Sequence, residues 1–277
     1  MMRKLILCAL LVSSVLAAAP AFAGRGSSYG SIMDAISSGN GDVIAAELER
    51  AEYLVCGACT GPILELLDHD SYQVREVASW WIARRPVLMA AATMQSIARI
   101  QGSDAKQAEY AADVLGAFKH PRALPTLAAG LARNDFPAAT KVAMVRAIGI
   151  IGDPTGMSAV ASALADNAPE TRAEAVRAYD SIRGRRAGTE LVGLLSDGDA
   201  AVRRQAAASV APFKVAAARV PLENLLAHDA DPLVRRNAAF ALLKLNDPAS
   251  RPVLQLAADS DPVMFVRSYA KAALSGR

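Results

Sequence analysis

From residue 42 onward, apolar residues recur three and four positions apart, in blocks of about twelve separated by short polar breaks. That spacing puts them on one face of a helix, so the chain reads as a series of amphipathic helices. The blocks come in pairs. First helices are predicted at 73–84, 105–118, 137–150, 169–182, 200–213, 232–245 and 263–274. Second helices are predicted at 87–100, 122–133, 155–165, 187–195, 218–227 and 249–258, and Pro86, Pro121, Pro154 and Pro248 stand at second-helix starts, where proline is tolerated. An earlier pair is expected at 43–54, with Asp42 as its cap, and from Pro62 onward. A short leading helix is expected at 27–38, ending at Asn40-Gly41.

The pairs also repeat residue by residue. Arg75, Ala108, Lys141, Arg172, Arg203, Arg235 and Arg267 form one column, with a near-constant step from each to the next. Six positions before five of these stand Asp135, Asp166, Asp197, Asp229 and Asp261. A small column runs Ala78, Ala111, Met144, Ala175, Ala206, Ala238, Ala270, and a large apolar one Ile82, Leu115, Ile148, Tyr179, Val210, Leu242, Leu274. A period of this size is the mark of a solenoid, in which each helical hairpin covers its apolar face with the next. The fold predicted is all-α, a right-handed α-solenoid of about seven helical-hairpin repeats, the last without its second helix. The second helices are expected on the concave side.

The pattern Asp-x-x-x-x-Val-Arg-x-x-Ala-x-x-x-Leu, followed by turns such as Gly152-Asp-Pro154 and Asn246-Asp-Pro248, resembles HEAT repeats, most closely the short form first described in phycocyanobilin lyase subunits. The resemblance covers about residues 42–277. It implies the fold strongly and the function weakly. It also implies a structural ladder of ion pairs between adjacent repeats, joining Asp135, Asp166, Asp197, Asp229 and Asp261 with Lys141, Arg172, Arg203, Arg235 and Arg267. Arg75 has no aspartate six positions upstream, so its loss is expected to cost less than that of Arg235.

Residues 1–23 break the pattern. Arg3 and Lys4 precede an apolar run at 5–19, and Pro20-Ala-Phe-Ala23 ends small-x-small. That reads as an export signal cleaved after Ala23, too short for a membrane span. The organisation expected is therefore a signal peptide at 1–23, a flexible start and leading helix at 24–41, and the repeat solenoid at 42–277. Removing Arg3 and Lys4 takes the formal charge from +3 to +1, too little for a nucleic-acid partner. The densest basic cluster, Arg183-Gly-Arg-Arg186, reads as a solvated helix end. Export predicts a periplasmic or secreted protein without membrane insertion after cleavage.

Candidate chemistry is sparse. No phosphate loop, HExxH or Gly-x-Ser-x-Gly occurs, and His69, His120 and His228 sit singly at unit junctions, so neither a catalytic set, a metal nor a cofactor is expected. Cys56 and Cys59 remain in the processed chain. In an oxidising compartment they are expected to join as a disulfide stapling a turn; a redox-active pair stays open as the alternative. Haem attachment is disfavoured because Thr60, not histidine, follows. Trp80 and Trp81 cannot both face the core. Trp81 falls in a small buried column, and Trp80 is expected to be partly exposed and a possible partner contact. Together these features predict a monomeric, non-catalytic scaffold or adaptor that binds another protein. The alternative is a thiol–disulfide oxidoreductase or redox-regulated adaptor using Cys56 and Cys59.

Overall fold

The computed structural model describes residues 26–182, 184 and 187–275. The export signal expected at 1–23 lies outside the described residues, as do Arg183, Arg185 and Arg186 of the basic cluster. A leading helix, α1 (Tyr29–Ser37), precedes seven helical hairpins. The first two hairpins are α2 (Gly41–Arg50) with α3 (Thr60–Glu65), and α4 (Tyr72–Ala83) with α5 (Pro86–Gln101). Next come α6 (Ala105–Phe118) with α7 (Leu124–Leu131), and α8 (Ala138–Ile151) with α9 (Met157–Ala163). In the fifth, α10 (Pro169–Ser181) is followed by two 3-10 turns, Thr189–Leu191 and Gly193–Ser196. The last two are α11 (Ala200–Val210) with α12 (Arg219–His228), and α13 (Pro232–Leu245) with α14 (Arg251–Ser260), before a final helix α15 (Met264–Ser275). No strand occurs among the described residues. The chain is an all-α solenoid.

Local chemistry sets the ends. Asp104, Asp199 and Asp231 accept the free amides at the starts of α6, α11 and α13. Lys119, Gly152 and Asn246 close α6, α8 and α13 in the left-handed region, at φ 52°, 65° and 52°. Pro121, Pro154 and Pro248 open short 3-10 turns that lead into second helices. His120 caps the first of these turns and His69 sits in the loop before α4, each accepting a backbone N–H two positions on.

Three local expectations need correction. The cap of α2 is Asn40, whose Oδ1 accepts from the amides of Asp42 and Val43; Asp42 itself is a first-turn residue. No α-helix forms at 187–195. Gly188 is left-handed at φ 72°, and Gly193 falls inside the segment, so too few helix-forming residues remain to nucleate one. The third correction concerns curvature. The first helices, not the second, form the more closely spaced side of the stack. A Cβ on Gly116 of α6 would stand 2.9 Å from Ala147 Cα of α8, and one on Gly149 3.0 Å from Ala178 Cα of α10. A stack bends toward its tighter side, so the first helices line the inner face.

Ile82, Leu115, Ile148, Tyr179, Val210 and Leu242 are all buried between hairpins, and the small column gives Ala78, Ala111, Ala175, Ala206, Ala238 and Ala270 full burial. Leu194 and Phe213 pack against both of the larger apolar clusters and so join them, while a third cluster fills the first hairpins from Ile32 to Phe118. Leu274, on the final helix, is half-exposed.

Candidate interaction surfaces

Along one edge of the stack run the column arginines, each in the first turn of a first helix. Arg172 donates to its own loop, at Asp166 O (2.8 Å) and Asn167 O (3.0 Å). Its other two nitrogens take Asp197 of the next hairpin, both at 2.8 Å. Arg203 repeats this with Asp197 O, Gly198 O and the Asp229 carboxylate, and Arg235 with Asp229 O, Ala230 O and the Asp261 carboxylate. Lys141 Nζ reaches Asp166 at 2.9 Å. The same aspartates accept backbone amides two positions on, from Ala168, Asp199, Asp231 and Val263. Each side chain thus ties a loop, a helix start and the next hairpin together. Hydrogen bonds from Arg172 hold the Asp197 carboxyl below its ordinary value. Burial opposes ionisation of Asp229 and Asp261, and bonds from Arg203 and Arg235 overcome it. Desolvation cancels part of the attraction, so the ladder fixes register at least as much as it stabilises.

The pairing joins each cation to the aspartate of the following hairpin. Asp135 is accordingly not a rung; it is exposed and takes both nitrogens of Arg133, at 2.9 and 2.5 Å. Arg267 bonds only Asp261 O, at 2.6 Å. Arg75, with no aspartate six positions upstream, has a carboxylate partner on the next first helix. It is buried, donates to His69 O (2.6 Å) and Asp70 O (2.8 Å), and pairs with Asp113. Asp113 is also buried and takes Arg146 at 2.6 Å. Tyr110 lies beneath Arg75 at 4.3 Å, and Tyr72 beneath Arg146 at 4.7 Å. A contact from α4 to α8 spans three hairpins, bridged by the long side chains of Tyr72 and Arg146 across Asp113. Asp113 was missed because it stands on the next first helix, well beyond the loop in which the column aspartates were sought. The available signal was a carboxylate beside Arg146 and Arg177 in a column that also holds Trp80, Ala208, Phe240 and Ala272.

At the first corner, Cys56 and Cys59 have their Cα atoms 5.3 Å apart and their Sγ atoms at disulfide-bonding distance, and Cys59 is fully buried. Arg85 fixes the loop before them by donating to Glu52 O (3.2 Å) and Leu54 O (2.9 Å). Tyr53 and Val55 project from this loop at 85% and 99% exposure, beside an open depression of about 700 Å³ also lined by Arg84 and Leu88. Trp80 is half-buried, with Arg84 stacked 3.7 Å from its ring and bonded to Glu52 at 2.6 Å. Trp81 is buried and donates its indole N–H to Ala51 O at 3.0 Å. Among the described residues no three His, Cys, Asp or Glu side chains gather as a metal site, and no helix is long and apolar enough to cross a membrane.

Hairpins stacked on hairpins, pinned by an inter-unit ladder and open along a curved face, define a helical-repeat protein. The model of the family described as HEAT repeats matches residues 94–180, 130–212 and 189–275, and the chain belongs to that family. Its fold is similar to that of the Escherichia coli protein YibA, at 15% identity and TM-score 0.56, over 90% of this chain and 92% of that one. An engineered protein is similar at 18% identity and TM-score 0.52, over 88% of this chain and 77% of that one. Human deoxyhypusine hydroxylase aligns at 19% identity and TM-score 0.38 over 89% and 96% of the two chains, too loosely to carry an argument about activity. No curated protein matches the sequence.

Proposed function

We propose that this protein is an exported, non-catalytic scaffold or adaptor that binds another protein as a monomer in the periplasm or outside the cell. The observation that carries the reading is the inner face itself, an open surface presented by the first helices of the seven hairpins and by α15 on a continuous row of packed helices. Solenoids use such surfaces to bind extended partners. The charge, apolar run and small-x-small end of residues 1–23 support export. Crosslinking in the native envelope, followed by purification and mass spectrometry, tests it. A defined envelope protein captured reproducibly is the expected result. Turnover of a small molecule with no captured protein would end the scaffold reading. The redox alternative at Cys56 and Cys59 draws no support from the HEAT-repeat match.

A further inference from the structure

Charge on the inner face is balanced differently in its two halves. In the first half the cations have carboxylates: Arg75 and Arg146 share Asp113, Arg84 takes Glu52, and Arg177 takes Glu174. The inner-face helices of the second half carry none of their own, and Asp180 of α10 accepts from Ser209 of α11. Helices α11, α13 and α15 carry seven cations and no acidic residue. Two of them, Arg203 and Arg235, are neutralised by ladder aspartates from the loops. Arg204 and Arg236, one position further round each helix, are not. The Arg204 guanidinium has no hydrogen-bond or ion-pair partner among the described residues, and Arg236 reaches only the neutral Asn237 Oδ1, at 3.0 and 2.9 Å.

Aromatic rings sit between these cations. Phe240 and Tyr269 meet edge to face, centroids 6.3 Å apart. Lys244 Nζ lies 5.3 Å from the Phe240 ring and the Arg236 guanidinium 6.0 Å from the Tyr269 ring. Asn237 donates to Arg204 O at 2.9 Å and so locks α13 against α11, which leaves the surface preformed. Phe240 is half-buried and Tyr269 38% exposed, so both rings can be covered further. Unneutralised cations around a ring pair fit an anionic partner with apolar side chains between its charges.

We infer that the α11–α13–α15 stretch of the inner face docks an extended acidic peptide segment of a partner protein, its carboxylates on Arg204, Arg236 and Lys244 and an aromatic or aliphatic side chain on Phe240 and Tyr269. The inference rests on the scaffold reading and names the partner's chemistry. A nucleic acid fits less well. Its phosphates, continuing along the face, would meet Glu174, Glu109 and Glu76, and the whole chain carries only +3.

The test uses purified protein and three fluorescein-labelled probes: a Glu-Phe-Ser repeat dodecapeptide, its Lys-Phe-Ser counterpart, and a twelve-nucleotide single-stranded DNA. The acidic peptide is expected to bind tightest, with affinity falling as salt rises. The double variant Arg204→Gln/Lys244→Gln should weaken it about tenfold with an unchanged melting temperature, since both heads lie outside the core. Stronger binding of the basic peptide or the DNA would overturn the assignment, as would acidic-peptide binding that the double variant leaves intact. Envelope crosslinking with the same variant separates the two levels. A partner still captured leaves the scaffold and removes this groove, a partner lost with the variant supports both, and no partner with either protein removes the scaffold.

Discussion

Asp113 is the most exacting place to test the reading of the inner face. Its carboxylate and the Arg75 guanidinium are both sealed from water, at 2% and 3% side-chain exposure, while Arg146 is 32% exposed. Asp113→Leu leaves two arginines facing each other, one of them with no route to solvent. Removing one partner of a buried ion pair costs about 3–5 kcal/mol. A chain of this size melting as one unit would lose about 6–20 °C for that. Repeats couple chiefly to neighbours, so the loss should be local, and amide hydrogen exchange of α4, α6 and α8 is the sharper assay beside thermal melting. The triple variant Arg75→Met/Asp113→Leu/Arg146→Met should recover most of the loss, because apolar residues of similar volume can replace a buried ionic triad at little or no cost. An Asp113→Leu protein within about 0.5 kcal/mol of wild type, the range of ordinary surface changes, would refute the reasoning. So would a triple variant no more stable than the single one.

The ladder predicts a pH dependence. The carboxyls of Asp197, Asp229 and Asp261 lie below their ordinary value of 3.8 in the folded chain, so their contribution is full above that value and lost as pH falls through the lower folded-state values. Denaturant midpoints measured down through that window should fall, and Asp229→Asn should flatten the fall; an unchanged slope counts against the ladder. Gly116→Ala should destabilise by about 1–3 kcal/mol, since its Cβ would press on the Ala147 backbone; an unchanged melting temperature would show that α6 and α8 can part freely. Leu242→Ala, a fully buried deletion, should cost about 2–5 kcal/mol and loosen α11 to α15 before the earlier hairpins, as read by hydrogen exchange. The Cys56–Cys59 pair, equilibrated against glutathione, should show a reduction potential below about −300 mV if it is a staple. A value between about −200 and −120 mV would revive the redox reading.

The sequence alone determined the first helices, all but one of the second helices and the buried columns as far as Leu242, because a helical period and a near-constant repeat length are local facts carried by each residue's own spacing. Ile82, Leu115 and Leu242 could be assigned to the core without coordinates, since a hairpin has only one apolar face to bury. The direction of the ladder, the partner of Arg75 and the side toward which the stack curves were decided only in three dimensions. Each depends on how far apart neighbouring backbones settle, and that distance follows from contacts such as Gly116 against Ala147, between successive hairpins. The uncompensated charge of Arg204, Arg236 and Lys244 belongs to the same level. A cation's partners can be counted only after packing has shown which carboxylates come within reach.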